Sequence, residues 1–186
     1  MSDGGAAPQG MATAPAVASD DVWTAIPSPV GELVLAHSGQ GLSWLLFAQH
    51  KGADSPVVGR VRSGPRDDDD PLLRRVAEQL AEYFAGGRRE FDVPLAPVGS
   101  RFQLRVWTAL SRIPYGRTVS YGDIAHQLDL PPGASRAVGL ANGSNPISII
   151  VPCHRVIGAD GSLTGYGGGL DRKRFLLDLE ADDLLF

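Results

Sequence analysis

A single cysteine, Cys153, stands among 186 residues, so no intramolecular disulfide can form. A cysteine-rich zinc site is excluded as well, because it needs several thiolates or clustered imidazoles. No apolar run approaches the roughly 18 residues of a membrane-spanning helix, and no secretory h-region is evident. A cytoplasmic, reducing setting is the expectation. A basic excess is also missing, since the net charge is −4. That deficit is uneven. Residues 1–97 carry 8 Lys/Arg against 13 Asp/Glu, whereas residues 98–186 carry 9 against 8. A locally basic face therefore remains open to the second half, although charge alone does not argue for one.

What is present is enough for a folded core: 43% of residues are apolar, with three Trp and six Phe. Residues 1–20 are rich in Ala, Gly, Pro and Ser and read as a disordered tail. From Trp23, "WTAIPSPVGELVLAHSGQGLSWLLFA" holds three short β-type runs separated by turn formers, which predicts an antiparallel meander. The connector over about 51–70 is Gly/Pro/charge-rich and reads as a mobile loop. "PLLRRVAEQLAEYFAGG" places Leu72, Leu73, Val76, Leu80 and Phe84 on one helical stripe, with Pro71 in the first turn and glycines at the end. "EFDVPLA" reads as a short strand or linker. The fold class expected is α+β in two small domains, 21–97 and 98–186.

In the second half, Phe102, Val106, Leu110 and Ile113 mark another helix. Ser120 followed by Asp123 fits a capping box, which sets Tyr121 in a first helical turn. That helix is broken by "DLPPGA" and restarts as "SRAVGLAN". Two short helices joined by a tight turn outline a helix-turn-helix, with Ser135 and Arg136 at the start of the second helix. An ordinary pair of packed helices is the commoner outcome of this pattern.

"SIIVPCHRVIG" (148–158) raises the question of the lone thiol. Ile147 to Val151 reads as a buried strand that Pro152, lacking an N–H, would end. Cys153 could be a core filler or a nucleophile. A free thiol is only about 3% ionised at pH 7, so a catalytic one needs a base or a positive environment. His154 and Arg155 are the neighbours available, but consecutive side chains on an extended chain point to opposite faces.

"PCHRV", preceded by "RAVGLANGSNPISII" and followed by "GYGGGLDRKRFLLDLE", resembles the active-site region of the O6-alkylguanine-DNA alkyltransferases. The likeness runs from about Ser100 to Glu180 and includes "PYGRTVSYGDIA"; the first half shares only the general layout. The resemblance implies a ribonuclease H-like N-terminal sheet with a helix, and a mainly helical C-terminal domain with a winged-helix-like helix-turn-helix. It implies irreversible, single-turnover transfer of the alkyl group from O6-alkylguanine, and from O4-alkylthymine, to Cys153. No cofactor and no metal are needed. His154 would activate the thiol through a water, Glu180 would orient His154, and Asn145 would brace the turn beside the active-site segment. Tyr121 would help turn the nucleotide out and assist the departing guanine. Arg136, accompanied by Ser135 and Gly139, would enter the base stack from the minor groove of double-stranded DNA. Val156, Tyr166 and Gly167 would wall the guanine pocket. A monomer is implied, with cooperative binding on DNA left open.

Two departures stand out. Some members hold zinc in the N-terminal domain through cysteines and histidines, which His37 and His50 cannot reproduce. Ser148 stands where some relatives carry a proline that contacts benzyl groups. Two rival functions stay open: a DNA-binding regulator whose mass never changes, and a thiol hydrolase that turns over.

Overall fold

The computed structural model describes residues 21–50, 53–54 and 56–182, so the 1–20 tail lies outside the described residues. β1 (Val22–Ile26), β2 (Leu33–His37) and β3 (Leu42–Phe47) form the antiparallel meander that the three runs predict, with Leu35 opposite Thr24 and Leu45. Successive β2 side chains face opposite sides. Leu33 and Leu35 join the main core, while Val34 and Ala36 join a smaller cluster with Trp23 and Trp44. Both faces of the sheet are apolar, so both need cover. The two-residue strands β4 (Gln49–His50) and β5 (Ala53–Asp54) pair beyond β3.

The outer face is covered by α1 (Pro56–Val61), through buried Val58 and Val61. Residues 51, 52 and 55 of the segment expected as a mobile loop, about 51–70, lie outside the described residues, and within the described part the chain forms this helix. Composition weighed the glycines, prolines and charges and overlooked two valines three positions apart, which the exposed side of the sheet requires. The segment is tied in further on: the Trp23 indole donates to Gly64 O at 3.0 Å, and the Asp70 side chain caps the next helix at Leu73 N, 2.9 Å. That helix, α2 (Pro71–Phe84), covers the inner face with Leu73, Val76, Leu80 and Tyr83, while Leu72 and Phe84 are only half-buried.

The free edge of β3 carries the other half of the molecule. Leu42 N donates to Pro94 O at 2.8 Å and Ala96 N to Leu42 O at 2.8 Å, so "EFDVPLA" is a linker that pairs once with the sheet. Farther along, Leu45 N donates to Pro146 O at 2.9 Å and Ser148 N to Leu45 O at 3.0 Å. The expected strand over 147–151 is therefore a single bridge at Ile147. The chain reverses immediately, with Ile149 at φ 71° and Val151 N donating to Ile147 O at 3.0 Å. A β-branched residue rarely adopts that conformation, so an apolar run gave no warning of it.

In the C-terminal half, α3 (Arg101–Leu110), α4 (Tyr121–Gln127), α5 (Ser135–Gly143) and α6 (Leu170–Asp182) surround the active-site segment. Capping boxes open α3 at Ser100/Gln103 and α4 at Ser120/Asp123, the second as the sequence predicts. β6 (Val119–Ser120) and β7 (Val156–Ile157) pair in parallel. Leu33, Leu73, Val106, Val138 and Leu176 belong to one hydrophobic cluster, so the two halves share a continuous core. Among the described residues no helix is long and apolar enough to cross a membrane.

Candidate active site

After the reversal at Ile149, residues Cys153–Arg155 form one turn of 3-10 helix. Successive side chains on such a turn are about 120° apart, so the opposed faces of an extended chain do not apply. Asn145 holds the reversal: its amide donates to Val151 O at 2.8 Å, and its carbonyl accepts from Ile147 N at 3.1 Å. Asn142, fully buried on α5, donates to Cys153 O at 3.4 Å. Cys153 is 4% exposed and His154 not at all.

Glu180, on α6, is the hub. Its Oε1 lies 2.7 Å from His154 Nε2 and accepts from Tyr83 Oη at 2.8 Å and Arg155 Nη2 at 2.9 Å. Its Oε2 accepts from Arg155 Nε at 2.8 Å and Gly116 N at 3.0 Å. Burial works to raise the carboxyl pKa, but the donors from His154 and Arg155 outweigh it and hold the group ionised, at about 2. An ionised acceptor at Nε2 places the imidazole proton on that nitrogen. Nδ1 is then the basic atom, and it is buried with no hydrogen-bond partner among the described residues. Burial lowers the His154 pKa despite Glu180, so the ring is neutral at physiological pH.

Burial pushes the Cys153 thiol up; Asn145, Lys173 and Tyr166 pull against it. Lys173 is a residue that sequence reasoning missed. Fully buried on α6, it donates to Val156 O at 2.6 Å and Thr164 O at 2.8 Å. Burial lowers its pKa to about 8, and the cysteine charge opposes that shift. Its position within "GLDRKRF" reads as one charge in a solvated helical run, and only the fold reveals its burial. The Tyr166 hydroxyl is buried and electrostatically coupled to the thiol, without a hydrogen bond of normal geometry; burial raises its pKa well above the usual value.

The glycine-rich loop 165–169 is seated on the N-terminal domain. Phe47 meets Tyr166 edge to face at 5.9 Å. A Cβ on Gly168 would lie 2.5 Å from the Phe47 ring, so no other residue fits there. Arg172 lies over Phe47 at 4.8 Å and donates to Gly168 O, Gln49 O and Val30 O at 2.9, 2.7 and 2.7 Å. Gly167 is exposed next to this clamp, and Val156 is buried on β7.

The helix-turn-helix pair packs as expected, α4 against α5. Tyr121 opens α4, and its hydroxyl donates to Thr164 O at 3.1 Å, which ties the first helix to the loop that follows the cysteine segment. Gly139 faces the Tyr121 ring, where a Cβ would sit at an ordinary 3.7 Å. Ser135 is half-buried at the start of α5, and Arg136 beside it is exposed, without an intramolecular hydrogen bond or ion pair among the described residues. The fold thus brings Cys153, His154, Glu180, Asn145, Val156 and Tyr166 into one buried group. Tyr121 lies at its edge, and Arg136 stands apart on the surface. Among the described residues no cluster of His, Cys, Asp and Glu could hold a metal ion. His37 instead accepts from Gly39 N at 2.9 Å and contacts Asp70 at 3.0 Å.

The fold and site define a class: two-domain α+β proteins that set a buried cysteine, backed by an imidazole and a carboxylate, beside a helix-turn-helix. Residues 101–182 match the DNA-binding domain of 6-O-methylguanine DNA methyltransferase, and residues 22–97 match its ribonuclease-like domain. The chain belongs to the 6-O-methylguanine DNA methyltransferase family. It is 53% identical to the methylated-DNA--protein-cysteine methyltransferase of Mycobacterium tuberculosis, over 85% of this chain and 91% of that protein. Identity to the protein of that name from Methanosarcina acetivorans is 50%, over 82% of this chain and 94% of the relative. The crystal structure of Mycobacterium tuberculosis OGT in complex with DNA superposes with a TM-score of 0.77 at 51% identity, covering 87% of this chain and 94% of that one.

Proposed function

We propose that this protein repairs O6-alkylguanine in double-stranded DNA by moving the alkyl group onto Cys153, once per molecule. The observation that carries the reading is the buried group of Cys153, His154 and Glu180, with Nδ1 of a neutral imidazole left as an acceptor. The thiol proton passes through a water to His154 Nδ1, and Glu180 stabilises the imidazolium that results. Lys173 adds positive charge beside the thiolate. The sulfur attacks the alkyl carbon, an S–C bond forms, the C–O6 bond breaks, and guanine departs with a hydrogen bond or proton from Tyr121. No cofactor takes part. A thioether is a poor leaving group, so the sulfur stays alkylated.

A base inside a duplex cannot reach a buried thiol, so the nucleotide must leave the stack. Arg136, exposed and without a partner among the described residues at the head of α5, fills the space from the minor groove; Ser135 and Gly139 accompany it, and Val156, Tyr166 and Gly167 wall the pocket. The same pocket takes O4-alkylthymine, and the protein works as a monomer. The family membership and the 51% identity to a protein solved on DNA support this reading.

Stoichiometry tests it. With a tenfold excess of O6-methylguanine duplex, repaired guanine should plateau at one equivalent per protein. Continued release would mean a turning-over thiol hydrolase, and no release would leave a DNA-binding regulator.

A further inference from the structure

Four of the five hydrogen bonds to Glu180 come from the C-terminal half. The fifth comes from Tyr83 on α2, in the N-terminal domain and 97 positions away in sequence. We infer that Tyr83 is a positioning residue of the alkyl-transfer site: its hydroxyl holds the Glu180 oxygen that faces His154 and sets how strongly that carboxylate supports the imidazolium. The inference rests on the reading of His154 and Glu180 as the pair that activates the thiol.

Geometry separates this role from simple burial of a phenol. The Tyr83 ring is fully buried and held by Phe84, Phe91 and Tyr115 at centroid distances of 5.4, 5.5 and 6.1 Å. That packing fixes the ring without help from the hydroxyl, so the hydrogen bond can be removed while the ring stays. The hydroxyl donates at 2.8 Å to Oε1, the oxygen that His154 Nε2 meets at 2.7 Å. Each donor on a carboxylate disperses its charge and weakens what remains for the others. Tyr83 thus competes with His154 for one oxygen, and α2 contributes directly to the basicity of the site.

Among the described residues, the charged and titratable groups around the pair are few. Arg155 reaches both oxygens of Glu180 from the segment after the cysteine, and Tyr83 reaches Oε1 from α2. Gly116 N donates from the turn between α3 and β6, and the adjacent Tyr115 lies against both Tyr83 and Arg155. Lys173 acts on His154 from α6. Loss of the Tyr83 hydroxyl leaves every other group in place. Glu180 then becomes the better partner for a protonated His154, and the imidazole keeps its proton to higher pH.

The experiment is the single-turnover transfer rate at saturating O6-methylguanine duplex, from pH 5 to 9, for wild type, Tyr83→Phe and His154→Ala. It is joined by the nitrogen-15 shifts of the His154 ring as a function of pH. In Tyr83→Phe, the acid limb of the rate profile and the ring titration should both move up, by about half a pH unit to one unit. Half-saturating DNA concentration should stay the same. A Tyr83→Phe limb and ring titration superimposable on wild type would overturn the inference, even if the melting temperature fell, because that result marks a purely structural hydroxyl. If His154→Ala instead kept the wild-type rate and profile, the underlying His154–Glu180 reading would fail, which is a distinct result.

Discussion

The two halves of the molecule bury polar residues in different ways. In residues 22–97 the buried polar groups make local repairs: Thr24 donates to Asp68 at 2.6 Å, His37 contacts Asp70, and Gln79 exchanges two hydrogen bonds with the Asp92 backbone. In residues 101–182 they converge. His154, Arg155 and Glu180 form one buried network, and buried Lys173 acts electrostatically on both His154 and the neighbouring Cys153. Removing charges from water is expensive, and an apolar core of equal volume is often as stable. Buried charge placed around a thiol points to chemistry, whereas the N-terminal pairs point to loop closure. The N-terminal domain is no bystander, however, since it supplies the β3 edge, Phe47 and Tyr83 to the same site.

The sharpest way to break this comparison is to remove one member from each kind of network. Arg155→Ala strips three hydrogen bonds, two to Glu180 and one to Ile113 O, and leaves a buried carboxylate under-compensated. A stability loss of about 3–5 kcal/mol is expected in urea unfolding. Gln79→Ala should cost about 1 kcal/mol on the same assay, as an ordinary hydrogen-bond loss. Equal losses would erase the distinction between the two halves. The same geometry makes Glu180 a poor target for probing activation alone, because its substitution disturbs five bonds at once.

Next in size is an acid effect. The Glu180 pKa is about 2 when folded, below its ordinary 4.5. Its contribution, on the order of 3 kcal/mol, is present above pH 4.5 and is lost as pH falls from there through 2. The buried, neutral His154 acts in the same direction from its usual 6.5 downward, because the unfolded chain takes up a proton that the folded one resists. Stability measured from pH 7 to pH 3 should therefore fall steadily, and a flat profile would contradict the ionised hub.

A smaller effect than those on the buried hub is expected at exposed Arg136. If Arg136 fills the vacated stack as proposed, Arg136→Ala should slow repair of duplex by roughly 10- to 100-fold, equivalent to about 1.4–2.7 kcal/mol of the unstacking cost. Transfer from a free O6-alkylguanine base, which is never unstacked, should be unchanged. Equal losses on both substrates would place Arg136 in the pocket.

The sequence and the fold agree where a local signal is strong. The Ser120–Asp123 capping box, the three-strand meander and the α4–α5 pair are short-range patterns, and each forms as the spacing predicts. Three features were out of reach for a physical reason. Val58 and Val61 form a helix because the far side of the sheet needs cover, a demand that arises only once β2 is paired. Ile149 adopts a left-handed backbone because Asn145 and the β3 edge hold the chain on both sides of it. Tyr83 and Lys173 join the site through tertiary contacts, and in sequence they are one more helical aromatic and one more helical charge.

The central claim is that Cys153 accepts the alkyl group, and intact-mass analysis after incubation with an O6-methylguanine duplex tests it most directly. The protein should gain a single increment of about 14 Da, the replacement of a thiol hydrogen by methyl, and the peptide that bears it should contain Cys153. Cys153→Ser should bind the duplex and gain nothing. An unchanged mass in the wild type, or the same increment in the serine variant, would contradict the account.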